Sequence, residues 1–203
     1  MLETSFNTQA AKQILLLPGL LAPVQTLFPL VRYLRENQKE YVVTAIPLRL
    51  SIASLDSIVE RAAHTIIKNL LEKSQPKTIV LFGHSHGGRV VCELVRKLKK
   101  ASPNTEFVVV TAGSPMGPKL NYLSWPTKLF FNLSKTYREW PHINQPDSAI
   151  VTKYFGYYST DDHTVIPEAA KADYTGQLTE LQGFSHHDLI SPTKMGPLLL
   201  RSL

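Results

Sequence analysis

The stretch around residue 85 constrains the possible folds of this chain most strongly. "KTIVLF" at 77–82 is a short run of β-branched and apolar residues, as expected of a strand buried on both faces. "GGRVVCELVRKLKK" at 87–100 has apolar residues at helical spacing and basic residues in its last turns. Between them, Gly-His-Ser-His-Gly at 83–87 fits Gly-x-Ser-x-Gly, the pattern of a sharp strand-to-helix turn. Glycine at both ends of this pattern avoids collisions with the neighbouring backbone.

Strands and helices alternate along the rest of the chain. Predicted strands cover 13–19, 41–47, 77–82, 106–113, 149–159 and 176–183, and predicted helices cover 23–37, 54–74, 87–100 and 191–203. Pro29 indicates a late start or a kink in the first helix, and Ser54 is a candidate cap of the second. This alternation predicts a three-layer α/β fold: a mostly parallel sheet of about six strands with helices on both faces. Active sites of such sheets lie at the carboxyl ends of the strands, where Ser85 falls.

Composition indicates an ordinary globular protein, and we expect one domain over residues 1–203. The net charge of +6 comes largely from scattered helix-surface lysines, so no nucleic-acid partner is expected, and a lipid surface only as a peripheral one. Cys92 is the only cysteine, which excludes an intrachain disulfide and a thiolate metal site. The sequence has no recognisable signal peptide and no apolar segment long enough to span a membrane, so we expect a cytoplasmic protein.

A serine hydroxyl becomes a nucleophile only beside a histidine base, which in turn needs a carboxylate to orient it. After this type of turn, the acid and then the histidine are expected at the ends of later strands. Asp161 and Asp162 follow the fifth predicted strand, and His186 and His187 follow the sixth. The residues alone leave both pairs open. The other histidines match these positions less well, and we expect the side chain of His84 to point away from the serine.

Five segments spread over residues 13–190 carry a family resemblance: "LLLPGLL", "GHSHGG", "TAGSPMG", "STDDHTVIP" and "GFSHHDL". Together, and in this order, they resemble the α/β-hydrolase family, specifically its small bacterial lipases and esterases. "LLLPGLL" resembles the first strand and oxyanion loop, although this chain has Pro18-Gly19 where the family often has His-Gly. "GHSHGG" resembles the nucleophile elbow.

The resemblance implies a catalytic triad and an oxyanion hole. The family segment Asp-x-x-Val aligns Asp162 with the catalytic acid, and Gly-x-x-His-x-x-Leu aligns His186 with the base. The implied triad is Ser85–His186–Asp162, which would form and then hydrolyse an acyl-enzyme. Backbone N–H groups of His86 and Leu20, with Leu21 as the alternative to Leu20, would stabilise the oxyanion.

A segment rich in proline and aromatic residues, 114–147, follows the fourth predicted strand, where hydrolases of this family often insert a cap. It is interpreted as a cap or lid, or as aromatic packing against the sheet. The residues expected to line the substrate site are Leu21, Met116, Trp125 and Phe130. An apolar lining would favour an ester with a hydrophobic acyl group.

The resemblance therefore implies a carboxylic ester hydrolase without a cofactor. A thioesterase or an acyltransferase would use the same three residues, and a non-catalytic protein binding a hydrophobic ligand is a further alternative. "DDH" and "HHD" contain residue types that bind zinc. Because the acid and the base already have roles in the triad, no catalytic metal is expected.

Overall fold

The computed structural model describes residues 12–20, 22–48, 54–117, 145–172 and 174–203. Six strands form one sheet in the order β2-β1-β3-β4-β5-β6, and every neighbouring pair is parallel. The strands are β1 (Lys12–Leu17), β2 (Tyr41–Ala45), β3 (Thr78–His84), β4 (Glu106–Ala112), β5 (Lys153–Ser159) and β6 (Gln177–Leu181). The predicted α/β class is confirmed. The strand order reverses between β1 and β3, and in open α/β sheets the carboxyl edge at such a reversal is the usual position of a ligand site.

Helices cover both faces of the sheet. They are α1 (Phe28–Asn37), α2 (Leu55–Ile66), α3 (Glu72–Ser74), α4 (His86–Ala101), α5 (Pro167–Lys171) and α6 (Met195–Ser202). A 3-10 turn precedes α1, whose second residue is Pro29, so the predicted late start of this helix is confirmed. Ser54 caps α2, because its Oγ accepts a hydrogen bond from the backbone N–H of Ser57. None of the helices in the described ranges is long and apolar enough to cross a membrane.

Strand side chains alternate between two hydrophobic clusters, one on each face of the sheet. Leu15, Leu81 and Val109 pack in one cluster with residues of α2 and α4. Leu16, Phe82 and Val110 pack in the other with residues of α1 and α6. This alternation is the period of two expected of strands buried on both faces, and it confirms the three-layer arrangement.

Several elements differ from the sequence-based expectation; the last helix, for example, begins at Met195 rather than at 191. β5 begins at Lys153 rather than at 149, because Asp147 organises a turn: its carboxylate accepts from the N–H of Ala149 and its carbonyl from that of Val151. The short helix α5 was not predicted, since its five residues carry no readable helical period. Of the predicted cap at 114–147, only residues 114–117 and 145–147 lie within the described ranges.

Candidate active site

Ser85 lies on the turn between β3 and α4 in a conformation that side chains rarely adopt. Its φ is 53° and its ψ −125°, a region that residues with a Cβ enter only under strain. Its backbone N–H donates to the carbonyl of Ala112 at 2.9 Å, and its own carbonyl accepts from the N–H of Gly88 at 3.0 Å. The turn is therefore held from one side by β4 and from the other by the first turn of α4.

The glycines of the motif lie where a Cβ would collide with neighbouring backbone, as expected from the sequence. A Cβ on Gly83 would lie 2.4 Å from the carbonyl oxygen of Gly87. A Cβ on Gly87 would lie 2.5 Å from the carbonyl oxygen of Pro18. Gly19 is also close to the turn, since a Cβ there would lie 3.0 Å from that of Ser85. The loop after β1 therefore passes directly beside the serine.

Asp162 and His186 are brought together by the loops that follow β5 and β6. Nδ1 of His186 lies 2.7 Å from Oδ2 of Asp162 and donates to it, because a carboxylate oxygen accepts; Nε2 is the ring nitrogen that this bond leaves available. The Asp162 side chain is fully buried, whereas that of His186 is 19% exposed. The second carboxylate oxygen of Asp162 accepts the backbone N–H groups of Thr164 at 2.8 Å and Val165 at 2.9 Å. These bonds fix the carboxylate and with it the orientation of the imidazole.

The neighbouring candidates, Asp161 and His187, do not share this arrangement. Oδ2 of Asp161 accepts the backbone N–H of Gly183 at 2.6 Å, which ties the end of β5 to the loop that carries the histidines. His187 is exposed. The geometry of the described residues thus pairs Asp162 with His186 and gives Asp161 a bracing contact. Within those residues, no three His, Cys, Asp or Glu side chains group as a metal site.

A second carboxylate braces the loop that carries His186. Oδ2 of Asp188 accepts from the N–H and the hydroxyl of Ser185, both at 2.9 Å, and from Nζ of Lys194 at 2.9 Å. Lys194 also donates to the carbonyl of Gly183 at 2.9 Å. The bond from Lys194, followed by those from Ser185, lowers the pKa of Asp188 to about 2. The carboxylate therefore stays ionised and keeps the loop closed on itself at neutral pH.

Gly113 connects the serine turn with the Asp162–His186 pair. It follows β4 directly, with φ 55°, and the preceding residue Ala112 accepts the backbone hydrogen bond of Ser85. A Cβ on Gly113 would lie 3.1 Å from Oδ2 of Asp162 and 3.2 Å from Nδ1 of His186. Ser85 and the pair thus lie at the adjacent ends of β3 and β4. Across the described ranges no hydrogen bond joins Ser85 to His186; such bonds are often long before substrate binds.

Of the remaining predicted site residues, three lie within the described ranges and three lie outside them. Leu20 is half-buried and packs against Val165 and the residues of α5, and Met116 is buried in the cluster formed with α2 and α4. His86 is buried at the start of α4, and its burial, with the nearby Arg89, lowers its pKa to about 3, so its ring is neutral. Leu21, Trp125 and Phe130 lie outside the described residues, and their roles stay predictions.

His84 makes a contact that the sequence did not predict, because its side chain lies against the predicted base. The centroids of the His84 and His186 rings are 4.5 Å apart. Nε2 of His84 is 3.0 Å from the backbone oxygen of His186. Phe82, two residues earlier on β3, gives the signal that could have revealed this: it faces away from α4, on the same face as the His186 loop.

Solved structures with this fold are similar over nearly the whole chain. A lipase-esterase-related protein from Clostridium acetobutylicum has 17% identity and a TM-score of 0.69, covering 97% of this chain and 96% of its own. The thioesterase RedJ of the prodiginine pathway in Streptomyces coelicolor has 16% identity and a TM-score of 0.67, covering 96% and 86%. A 2-hydroxy-6-oxo-6-phenylhexa-2,4-dienoate hydrolase from Rhodococcus has 16% identity and a TM-score of 0.60, covering 94% and 90%. The chain has the α/β-hydrolase fold.

Comparison with protein-family models gives no match. Comparison with curated proteins gives no match either. The activity must therefore be argued from the residues at the site.

Proposed function

We propose that the protein is a serine hydrolase that cleaves carboxylic esters through an acyl-enzyme on Ser85. One observation carries this proposal: a buried carboxylate, Asp162, holds Nδ1 of His186 at 2.7 Å, next to the strand end that bears the strained Ser85 turn. This combination of acid, base and hydroxyl is the one that activates a serine in hydrolases of unrelated folds. The names of the similar structures, a lipase-esterase-related protein among them, are consistent with it.

In the proposed acylation step, Nε2 of His186 takes the proton of the Ser85 hydroxyl while Oγ attacks the ester carbonyl carbon. The imidazolium that forms is stabilised by the Asp162 carboxylate, which remains ionised. The tetrahedral intermediate then collapses: the bond to the alcohol breaks, and His186 returns its proton to the leaving oxygen. A water molecule, activated by the same imidazole, releases the acid and regenerates Ser85.

The oxyanion of both tetrahedral intermediates would be bound by two backbone N–H groups. His86 contributes one, at the first residue of α4, where the helix dipole favours negative charge. Leu20 is proposed to contribute the other, because Gly19 brings this loop to within van der Waals distance of Ser85. A backbone donor needs no particular side chain, so Pro18 in place of the family's histidine is compatible with this role.

Activity measurements with different substrates distinguish an alcohol leaving group from a thiol leaving group. A thioester would react at the same three residues, and RedJ, a thioesterase, is among the similar structures. We propose an ester with a hydrophobic acyl group, on the basis of the aromatic-rich sequence at 120–140, which lies outside the described residues. A series of p-nitrophenyl esters of increasing acyl length, run beside the matching acyl thioesters, ranks these substrates by kcat/KM.

A fluorophosphonate probe tests the proposed nucleophile. We expect the intact mass to rise by one probe adduct per chain, and the modified peptide to contain Ser85, because the activated hydroxyl attacks phosphorus as it would attack an ester carbonyl. Chain unfolded in denaturant before exposure to the probe is the control and should not react. A folded protein that stays unmodified would reject the proposal and favour a ligand-binding role.

Asp162→Asn is expected to lower kcat for p-nitrophenyl ester hydrolysis about 10⁴-fold. The amide can donate a hydrogen bond to Nδ1 of His186, which stabilises the tautomer with the proton on the nitrogen that should act as base. Asp161→Asn is the matched control: it removes a carboxylate that contacts Gly183 rather than the imidazole, and should retain most of the activity. Equal losses in both variants would contradict the assignment of the acid.

A further inference from the structure

The position of His84 follows from the alternation of side chains along β3. Leu81 packs with α2 and α4, whereas Phe82 packs on the opposite face with α1, α6 and the loop residue Leu189. Gly83 faces α4, where a Cβ would collide with its backbone. The next side chain, His84, therefore faces the side of the sheet on which the loop carrying His186 packs. It is the last residue of the strand and precedes the serine directly.

His84 contacts the His186 segment in two ways. Its Nε2 lies 3.0 Å from the backbone oxygen of His186, and its ring packs on the His186 ring at 4.5 Å between centroids, with an interplanar angle of 42°. A carbonyl oxygen only accepts hydrogen bonds, so Nε2 carries the proton and donates it. His84 is therefore both a hydrogen-bond donor to the backbone of the predicted base and a wall against one face of its imidazole.

The His84 ring remains neutral in this position. Burial, followed by the neighbouring His186 ring, lowers its pKa to about 3. Its Nδ1 would lie 3.4 Å from a Cβ on Gly19, so the ring also lies next to the loop that follows β1. An uncharged ring here places no positive charge beside His186, where it would oppose the imidazolium that forms during catalysis.

From these contacts we infer that His84 is a positioning residue that clamps the base to the strand end carrying the nucleophile. The bond to Asp162 fixes one atom of the His186 ring, and the ring can still rotate about that contact. The bond from His84 fixes the backbone oxygen of the same residue, and the ring contact restricts the plane of the imidazole. Because Ser85 follows His84 in the chain, the distance between base and nucleophile is set through one strand end rather than through a long loop.

This inference rests on the proposed function for its kinetic test, which compares four variants. His84→Leu removes the donor and the ring, His84→Asn keeps an amide too short to reach the carbonyl, and His84→Gln places an amide donor near Nε2. His64→Leu, at an exposed helix position, is the control for loss of a histidine. Rates for p-nitrophenyl esters are expressed per site titrated with the fluorophosphonate probe, so that misfolded protein does not count.

We expect Leu and Asn to lower kcat about 10- to 100-fold with little change in KM, because the base is displaced while substrate contacts remain. Gln should recover most of the loss, and the His64 control should equal the wild type. A kcat equal to wild type in Leu and Asn, or a loss in Gln as large as in Asn, would overturn the clamp. If Leu does not fold, the Asn–Gln pair alone decides.

A readout that does not depend on activity separates this inference from the proposed function. The proton on Nδ1 of His186, hydrogen-bonded to Asp162, is expected as a protected low-field proton NMR signal. The signal should persist in the Gln variant and broaden in Leu and Asn, as the ring gains freedom. An unchanged signal in Asn rejects the clamp even if the wild type is active. Absence of labelling at Ser85 in the wild type rejects the hydrolase alone, and the NMR comparison still tests His84.

Discussion

Ser85→Ala is expected to lower kcat for ester hydrolysis by about 10⁶-fold and to abolish fluorophosphonate labelling. Oγ is the atom that would become acylated, and alanine offers no substitute for it. The substitution keeps the Cβ that the turn already accommodates at φ 53°, so stability should change little. Initial rates with the best p-nitrophenyl ester, beside circular dichroism and urea unfolding of the same preparation, separate loss of chemistry from loss of fold.

Ser114→Ala is the matched control for this prediction. Ser114 is a buried serine close to the turn, and its hydroxyl lies 3.4 Å from the carbonyl oxygens of Gly83 and Ala112, at the limit of hydrogen bonding. The same atom is removed in the same neighbourhood, yet turnover and labelling should persist. If Ser85→Ala retained substantial turnover, or if labelling moved to another residue, the assignment of the nucleophile would be wrong.

The sheet and its layers were predictable because the signals are local. Continuous apolar runs indicate strands buried on both faces. The glycines at 83 and 87 indicate a turn in which neighbouring backbone segments approach too closely for a Cβ. Ser54 and Pro29 act within their own helices, so the sequence alone revealed the cap and the late start. The start of β5 was missed because the turn that begins at Asp147 extends through the apolar residues 149–151, which resemble the start of a strand.

The contacts around the predicted base were much less predictable. Asp161 braces the loop through the backbone N–H of Gly183, a bond that exists only once the ends of β5 and β6 lie side by side. Asp188 braces the same loop locally, through Ser185 and Lys194. The contact between His84 and the base was not predicted for a related reason: it joins two distant parts of the chain. The direction of the His84 side chain follows from the strand period, but its contact with His186 depends on where a loop about a hundred residues later packs. A single sequence contains the residues of these contacts but not the distances between them.

His186→Ala is expected to lower kcat by about the same factor as Ser85→Ala, on the order of 10⁶, because a hydroxyl without a base is a poor nucleophile at neutral pH. Removal of the imidazole also leaves the buried Asp162 carboxylate without its hydrogen bond from Nδ1, so a modest loss of stability should accompany the kinetic loss. The double variant Ser85→Ala/His186→Ala tests whether the two residues act as one unit. If they do, it should be no slower than either single variant.

His187→Ala is the control for this base assignment, because it removes the same side chain one residue along the same loop. The ring of His187 is exposed, so most of the activity should remain. The decisive comparison is the ratio of kcat between the two alanine variants, measured per correctly folded chain. A large loss in His187→Ala with activity retained in His186→Ala would mean that the loop adopts another register during turnover. The bond between Asp162 and His186 would then belong to a resting arrangement rather than to the reacting one.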